Sequence, residues 1–337
     1  MAAIMITGGS GFLGTYVIRE LAGRGDHVIN FDAVGPAPVL AKLTAPFEKQ
    51  IVFVRGQVLD LAGLLRAVQH YKVERIFHAA ALYDPPYSLE DPAITFQVNV
   101  NGTINVLEAA RLCGVQRVVQ SSSIAVYAPR QYEPIDERHP IHIPAAGNPL
   151  GPYGASKAAA EIVGLSYFST NGVDFIALRN SAIYGHGMRY PMYIKPMVEN
   201  SVRGLPTRFS TGGDMCRDYT HVKDVTQAVI KALDVHPSAL DQRVFNVGSG
   251  AMHSAAEVAE AVRRIIPGAD IEIGAGLSEM EQNDMRARGT LDLSAARQQL
   301  KYEPQYSLEG GIRDYVEMFR GQTLSNHHVP TLLKSPG

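Results

Sequence analysis

The chain has 337 residues, of which 46% are hydrophobic and 19% charged, with a formal net charge of -2. This composition is typical of an ordinary globular protein of roughly two domains, and without a clustered basic segment it argues against binding to nucleic acid or to an anionic membrane. Two cysteines, Cys113 and Cys216, exclude a disulfide framework. Without a signal peptide or a membrane-length apolar run, we expect a cytoplasmic protein.

The N-terminal half alternates short apolar runs with segments of helical length. The predicted strands are IMIT, HVINFD, QIVFVRG, RIFHAAA, RVVQSSS and VDFIALRN. Between the first two, Leu13, Val17 and Leu21 share one face of a predicted helix, which ends at Gly23 and Gly25. The repeated order of strand, helix and strand predicts an α/β fold with a Rossmann-type doubly wound parallel sheet.

The regular alternation ends near residue 180, after which prolines and loop-like segments become frequent. We therefore expect a Rossmann domain over residues 1–180 and a smaller, mainly substrate-binding domain over 181–323. The run RVFNVGSG predicts a strand near 243–250 that returns to the Rossmann sheet. Residues 324–337 are expected to form a loosely held tail.

A glycine-rich stretch, MITGGSGFLG, separates the first predicted strand from the first predicted helix. Glycine permits close approach of another group, and a helix N-terminus favours a phosphate. Gly8, Gly11 and Gly14 give the spacing GxxGxxG, whereas the lysine of a Walker loop is missing. We expect the pyrophosphate of a dinucleotide here, with Phe12 and Leu13 also contacting the cofactor.

Asp32 ends the second predicted strand, at the interval expected for a carboxylate that binds a ribose 2′-hydroxyl group. This carboxylate would repel a 2′-phosphate, and no arginine lies beside it in FDAVG. The predicted cofactor is therefore NAD rather than NADP. The alternative is a structural turn followed by a surface aspartate.

Tyr153 and Lys157 lie four residues apart in GPYGASKAAAEIV, and so on one face of a helix. A phenol has a pKa of about 10, but a nearby ammonium and an oxidised nicotinamide both favour the phenolate. The serine cluster of VVQSSSIAVY lies at the carboxyl end of a predicted strand, where α/β sheets bind ligands. For the tyrosine and lysine alone, an ordinary amphipathic helix is the alternative.

Taken in order, TGGSGFLG, Asp32, HAAA, NVNGT, SSSIAVY and YGASK resemble the motifs of the extended short-chain dehydrogenase/reductase family, in its branch of NAD-dependent sugar epimerases and dehydratases. CRDYTHVKDV and LDLSAARQQLKYEPQYSLEGGI resemble later signatures, so the similarity covers nearly the whole chain. The resemblance implies that Ser123 hydrogen-bonds the reacting oxygen, that Tyr153 moves its proton and that Lys157 binds the nicotinamide ribose.

The resemblance also implies cofactor contacts outside the glycine loop. They are Gln57, Val58, Ala80, Ala81 and Asn99. Gln57 replaces an adenine-contacting aspartate, and its amide oxygen can accept the same proton. Asn99 is also expected to support Lys157 through water.

The implied reaction is oxidation of a secondary alcohol on a small carbohydrate. An epimerase returns the hydride to the other face of the ketone, whereas a dehydrogenase releases the oxidised product, and the same motifs serve both. We predict an NAD-dependent sugar epimerase that acts on a nucleotide-linked sugar. The alternatives are a net dehydrogenase of a free sugar, sugar acid or other polyol, and a non-catalytic NAD-binding regulator. A 4,6-dehydratase is disfavoured, because Ile124 and Ala125 replace the acidic pair that elimination requires.

Arg217 in CRDYTHV matches an arginine of members that bind sugar nucleotides, which favours a phosphate-bearing substrate; the alternative is a structural ion pair. Two departures weaken this prediction. Ala182 replaces an expected substrate-binding asparagine, and a later arginine signature has no clear match. Arg286 and Arg288 lie close enough in sequence to substitute.

No metal site is predicted, because His78, His186 and His221 lie on separate segments without a shared metal-ligand spacing. The apolar segments EAARLCG and KAAAEIVG correspond to the helices through which family members often pair. We therefore expect a homodimer, although packing inside the monomer is an alternative explanation of these segments.

We expect NAD to bind at least about tenfold more tightly than NADP, because the Asp32 carboxylate would face the added phosphate. Calorimetric titration of both nucleotides measures the difference, and Asp32→Ala should reduce it. Equal affinities in the parent protein would contradict the role given to Asp32.

Overall fold

The computed structural model describes residues 2–83, 90–141 and 151–326, with residues 322–326 described by their backbone alone. The strands are β1 (Ala3–Thr7), β2 (His27–Asp32), β3 (Ile51–Arg55), β4 (Arg75–His78), β5 (Arg117–Ser123), β6 (Phe175–Asn180), β7 (Ala182–Tyr184), β8 (Thr207–Phe209), β9 (Cys216–Arg217), β10 (Tyr219–His221), β11 (Val244–Val247), β12 (His253–Ser254) and β13 (Ile271–Ile273). The helices are α1 (Phe12–Gly23), α2 (Pro38–Thr44), α3 (Leu61–His70), α4 (Pro92–Phe96), α5 (Gly102–Cys113), α6 (Gly151–Asn171), α7 (Ile194–Val202), α8 (Val222–Asp234), α9 (Ala255–Ile265), α10 (Glu279–Met285) and α11 (Leu308–Asn326).

A seven-stranded sheet of order β11-β6-β5-β4-β1-β2-β3 forms the centre of the fold. Every neighbouring pair in it is parallel. The sheet contains all six strands predicted from the N-terminal half, and the predicted α/β Rossmann-type fold is confirmed. β11 pairs with β6, so the chain returns to this sheet after the segment that contains β7 to β10.

The order of the strands reverses between β1 and β4, because the chain runs from β1 outward to β3 and then crosses over to β4. Thr7 and His78, the last residues of β1 and β4, are register partners. Ligands of open α/β sheets bind outside the carboxyl ends of the strands at such a reversal. The glycine loop follows β1 at this edge, and Ala80 and Ala81 follow β4.

The glycine loop is packed too closely for side chains at two of its predicted positions. Gly8 has a φ of +71°, and a Cβ there would lie 2.6 Å from the backbone nitrogen of Ala80. A Cβ on Gly14 would lie 2.5 Å from the carbonyl oxygen of Gly8. Gly11 differs, because its Cβ would meet only the Gly8 carbonyl oxygen, at 3.1 Å. The loop therefore needs Gly8 and Gly14 for its own packing, whereas a Cβ on Gly11 would press against a single carbonyl oxygen.

Three hydrophobic cores hold the layers together. One lies between the sheet and α1 and α8, and a second lies on the opposite face beneath α3 and α5. The third joins α7, α9 and α11 in the C-terminal part. α8 comes from the segment assigned to the substrate-binding region but packs on the sheet through Val222, Val225 and Val229. The two regions are thus interleaved along the chain.

The last helix overlaps the segment predicted to form a tail. α11 continues to Asn326, so residues 324–326 are helical, and the loosely held tail stays a prediction. Residues 327–337 lie outside the described residues. No helix in the described part of the chain combines the length and apolar character needed to cross a membrane.

We expect Gly11→Val to abolish NAD binding while the protein stays folded, because the new side chain would occupy pyrophosphate space without meeting the core. The matched control is Gly14→Ala, whose smaller side chain meets backbone atoms and should cost about 1–3 kcal/mol of stability. Calorimetry measures NAD affinity, and thermal melting measures stability. Unchanged NAD affinity in Gly11→Val would refute this role for the loop.

Candidate active site

The N-terminus of α1 lies where the sequence predicts the phosphates of the dinucleotide. The first helical hydrogen bond runs from the Thr15 nitrogen to the Gly11 oxygen, at 3.0 Å. The N–H groups of Phe12 and Leu13 therefore have no partner within the helix, and no side chain caps it at Gly11. The Leu13 side chain lies in the core, and Phe12 packs edge-on against Tyr16. An anion would thus be bound by backbone N–H groups, which fits a pyrophosphate.

Asp32 lies at the end of β2, next to this loop. Its Oδ2 atom accepts a hydrogen bond from the Ser10 nitrogen at 3.0 Å, and its Oδ1 atom accepts one from the Val34 nitrogen at 3.1 Å. A carboxylate oxygen can accept more than one hydrogen bond, so both oxygens keep capacity for a ribose hydroxyl group. Asp32 thereby joins the glycine loop to the predicted ribose position.

A cavity of about 450 Å³ continues beyond Asp32. It is lined by Ala33, Arg55, Gly56, Gln57 and Asp60. Gln57 lies where the adenine-contacting residue is predicted. Arg55, the register partner of Asp32 on β3, is a cationic neighbour that the local sequence around Asp32 does not reveal. Val58 is only 7% exposed, and its carbonyl accepts a hydrogen bond from Asn105.

Asn99 connects the segment after β4 to α6. Its Oδ1 atom accepts a hydrogen bond from the Leu82 nitrogen at 2.8 Å, and its Nδ2 atom donates to the Leu82 oxygen at 3.2 Å and to the Ser156 hydroxyl at 2.9 Å. Ser156 directly precedes Lys157. The contact of Asn99 with the helix of the lysine is therefore made through this neighbouring serine.

The three residues predicted to carry the chemistry meet where β5 ends against α6. Ser123 closes β5, accepts a hydrogen bond from the Ala125 nitrogen at 3.1 Å, and also hydrogen-bonds the phenol of Tyr153. The Lys157 ammonium donates to the Ser121 carbonyl oxygen at 2.7 Å and lies 5.8 Å from the centre of the Tyr153 ring. The helical spacing and the strand end together produce this cluster.

Burial dominates the protonation of both ionisable groups of the cluster. It raises the pKa of Tyr153, Tyr83 adds to this, and the hydrogen bond with Ser123 and the charge of Arg288 oppose it. Burial lowers the pKa of Lys157 to about 8, against the charge of Glu161. The lysine is thus mostly charged at neutral pH, but its pKa lies only about one unit above that pH.

A buried polar layer lies beneath these residues. Glu161, one turn after Lys157, forms an ion pair with Arg179 at 2.7 Å and accepts a hydrogen bond from Ser122. The Glu161 and Arg179 side chains are only 2% and 5% exposed. Because α6, β5 and β6 each contribute one of these groups, the layer fixes the helix of Lys157 relative to the strand of Ser123.

His78 is a buried residue at the end of β4. Its two ring nitrogens lie 2.7 Å from the Thr7 hydroxyl and 3.0 Å from the Thr103 hydroxyl. Burial lowers the pKa of His78 to about 3, so the ring is neutral. Within the described residues, no group of three or more His, Cys, Asp and Glu side chains could hold a metal ion.

Arg217 and Arg288 share one carboxylate. The Asp284 carboxylate lies 3.1 Å from the Arg217 guanidinium and 2.7 Å from the Arg288 guanidinium. Burial opposes its ionisation, but Arg288 and Arg217 hold the pKa of Asp284 below its ordinary value. Two positive charges and one negative charge leave a net charge of about +1 here. Ala182 lines the same small pocket, together with both arginines.

The sequence left open which residue would replace the missing later arginine. Of its two candidates, Arg288 joins Arg217 on Asp284. Arg286 uses its backbone carbonyl to accept a hydrogen bond from the Arg130 nitrogen at 2.7 Å. Arg217 therefore forms an ion pair, as the alternative interpretation expected. This ion pair with Asp284 lies beside the pocket that Arg217 and Arg288 line.

Two tyrosines at the site were missed by the sequence analysis. The Tyr83 ring lies edge-on to Tyr153, with 4.8 Å between their centres, and also contacts Tyr190 at 5.7 Å. Tyr83 follows β4, whereas Tyr190 follows β7, so the two come from different regions. The only local signal was the position of Tyr83 two residues after the HAAA segment, which is predicted to line the cofactor.

The fold and the site together define a Rossmann-type protein of the short-chain dehydrogenase/reductase class. The sequence profile of the NAD dependent epimerase/dehydratase family matches residues 4–248. The chain belongs to this family. The recognition of the family, the enzymatic class and NAD as the cofactor are confirmed.

Similar proteins of known name cover nearly the whole chain. A UDP-glucose 4-epimerase of Mycolicibacterium smegmatis is 31% identical over 325 residues, which span 95% of this chain and 99% of the relative. The structure of Thermotoga maritima UDP-glucose 4-epimerase with UDP-glucose has a TM-score of 0.82 at 26% identity and covers 95% of this chain and 99% of that one. The Thermus thermophilus UDP-glucose 4-epimerase complex with NAD has a TM-score of 0.78 at 28% identity, with the same coverage.

We expect NAD affinity to fall as the pH rises through about 8, because Lys157 then loses the charge that would hold the nicotinamide ribose. The loss of one charge-assisted hydrogen bond corresponds to about tenfold in affinity. Calorimetric titration at pH 7 and at pH 9 measures this change.

The control is Lys157→Ala, which should bind NAD weakly at both pH values and turn over slowly. A parent protein whose NAD affinity is equal at the two pH values would contradict the assignment of Lys157 to the ribose.

Proposed function

We propose that this enzyme is an NAD-dependent epimerase of a nucleotide-linked sugar, with a UDP-hexose as the favoured substrate. One observation carries the proposal: the cluster of Ser123 and Tyr153 and the arginine pair on Asp284 belong to one site, since both arginines line one small pocket with Ile124, the residue that follows Ser123. A sugar that reacts at one end and bears a phosphate at the other matches both groups. The similarity to UDP-glucose 4-epimerases supports the same substrate class.

In the proposed reaction, Tyr153 removes the proton of a secondary hydroxyl group and later returns it. Ser123 hydrogen-bonds the reacting oxygen, which keeps that oxygen beside the phenol. Bound NAD would supply a reversible hydride acceptor, with a positive charge that favours the phenolate. Lys157 would hold the ribose and add a second positive charge on the same side of the site.

Arg217 and Arg288 would bind the diphosphate of the substrate. Guanidinium groups match phosphate oxygens with paired, charge-assisted hydrogen bonds. Asp284 already holds both groups by ion pairs, so the substrate would meet an ordered site. This explains how the site can bind a nucleotide sugar although Ala182 replaces the expected asparagine.

A net dehydrogenase of a free sugar or sugar acid is the alternative reaction at the same residues. It would leave one reduced cofactor for each oxidised substrate, whereas an epimerase leaves none. The third hypothesis, a non-catalytic regulator, is not supported, because Ser123, Tyr153 and Lys157 are all present and meet at one place.

We also propose that the protein forms a homodimer through α5 and α6. Leu112 on α5 and Ile162 on α6 are 53% and 56% exposed, which is costly for aliphatic side chains unless another surface covers them. Sedimentation measures the mass of the particle in solution. The expected cytoplasmic location stays a prediction.

To test the function, the protein is incubated with UDP-glucose, UDP-galactose, UDP-glucuronic acid or free sugar acids. The absorbance of NADH and the stereochemistry of the sugar are then measured for each compound. Interconversion of epimers without net NADH supports the epimerase. Stoichiometric NADH from a free sugar acid would support the dehydrogenase instead.

We expect Tyr153→Phe to reduce turnover by at least about 100-fold, because a positioned proton-transfer group is lost. The ring remains for packing, so the melting temperature and most of the NAD affinity should be retained. Interconversion at the parent rate would show that Tyr153 does not carry the proton.

A further inference from the structure

Tyr83 occupies a position that the reaction scheme above does not use. It follows Leu82, whose backbone N–H and carbonyl groups are both held by Asn99. The ring is 51% exposed, although it contacts the rings of Tyr153 and Tyr190. Its backbone neighbour is therefore held in place, while about half of the Tyr83 side chain stays accessible.

Tyr83 lies near both Tyr153 and the arginine pair. Desolvation and Tyr190 raise the pKa of the Tyr83 phenol, and Arg217 and Arg288 lower it. Its ring is in contact with Tyr153 on one side, and its hydroxyl group is within electrostatic reach of the arginine pair. A substrate bound at the Tyr153 phenol would therefore lie close to the Tyr83 ring, which contacts the Tyr153 ring at 4.8 Å.

We propose that Tyr83 is a positioning residue, whose ring is the surface against which the oxidised sugar rests while it turns over between the two hydride transfers. Tyr190 supports that ring from the other region of the protein. The inference rests on the proposed epimerase function and adds to it how the intermediate is retained.

The chemistry makes retention necessary. Oxidation breaks the C–H and O–H bonds of one carbinol, moving the hydride to NAD and the proton to Tyr153, and a ketone remains. The protonated Tyr153 phenol can donate a hydrogen bond to the ketone oxygen, but this bond breaks when the ketone rotates about its link to the phosphates. If it leaves, both hydrogens stay with the protein, and the cofactor stays reduced. An aromatic ring that packs against the C–H groups of the sugar opposes this escape.

The test measures the reduced cofactor left per epimerisation event, by its fluorescence, in the holoenzyme supplied with the nucleotide sugar that the parent interconverts. We expect Tyr83→Ala to increase this ratio about tenfold, the upper range for the loss of an aromatic contact. Tyr83→Phe keeps the ring and should remain within about twofold of the parent. Tyr83→Leu provides a second variant without the ring if the alanine protein is poorly folded.

The matched control is Tyr132→Ala, which removes another exposed tyrosine, 43% exposed and hydrogen-bonded to Asp136. It should not change the ratio. A parent-like ratio in Tyr83→Ala and Tyr83→Leu, with epimerisation intact, would overturn the role of Tyr83 and leave the proposed function standing. An increase in Tyr83→Phe as large as in Tyr83→Ala would also overturn it, since the hydroxyl group rather than the ring would then matter. Failure of the parent to interconvert any nucleotide sugar would remove the proposed function and this inference together.

Discussion

The close approach of the turn after β1 to the turn after β4 sets the geometry of the whole site. A Cβ at Gly8 would lie 2.6 Å from the Ala80 nitrogen, so only a glycine allows the two backbones to meet. This contact aims the N-terminus of α1 across the carboxyl edge of the sheet. It also fixes the start of the segment that Asn99 attaches to α6. The predicted phosphate-binding loop and the helix of Tyr153 and Lys157 are therefore both positioned by this one contact.

The buried polar layer of Glu161, Arg179 and Ser122 fixes the positions of α6 and β5, and burying its charges costs free energy. Removing Glu161 and Arg179 from water is unfavourable, and their attraction compensates only when the geometry is good and the remaining polar atoms are satisfied. Glu161 also accepts a hydrogen bond from Ser122, and Arg179 donates to the Glu137 carbonyl at 3.1 Å. An aliphatic core at this place could fill the same volume. It would not oppose the burial that lowers the pKa of Lys157, as Glu161 does.

The sequence was sufficient where function depends on neighbours along the chain. Buried parallel strands are continuous apolar runs, Asp32 follows the glycine loop at a fixed interval, and Tyr153 and Lys157 are one helical turn apart. It was insufficient where distant segments meet. Arg55 faces Asp32 only through the register of β2 and β3, and Tyr83 meets Tyr190 across more than a hundred residues of sequence. No periodicity encodes such meetings, because packing of the tertiary structure decides them.

The carboxylate that Arg217 and Arg288 share also bears on how fast a bound anion would be released. A pair of unpaired guanidinium groups would attract anions strongly and release them slowly, which would limit an enzyme that must exchange near-identical epimers at every cycle. Asp284 offsets one of the two charges and holds both side chains in place, so that little ordering remains to be done when a ligand arrives. Such a site would bind an anion less tightly than two unpaired guanidinium groups and would therefore release it faster.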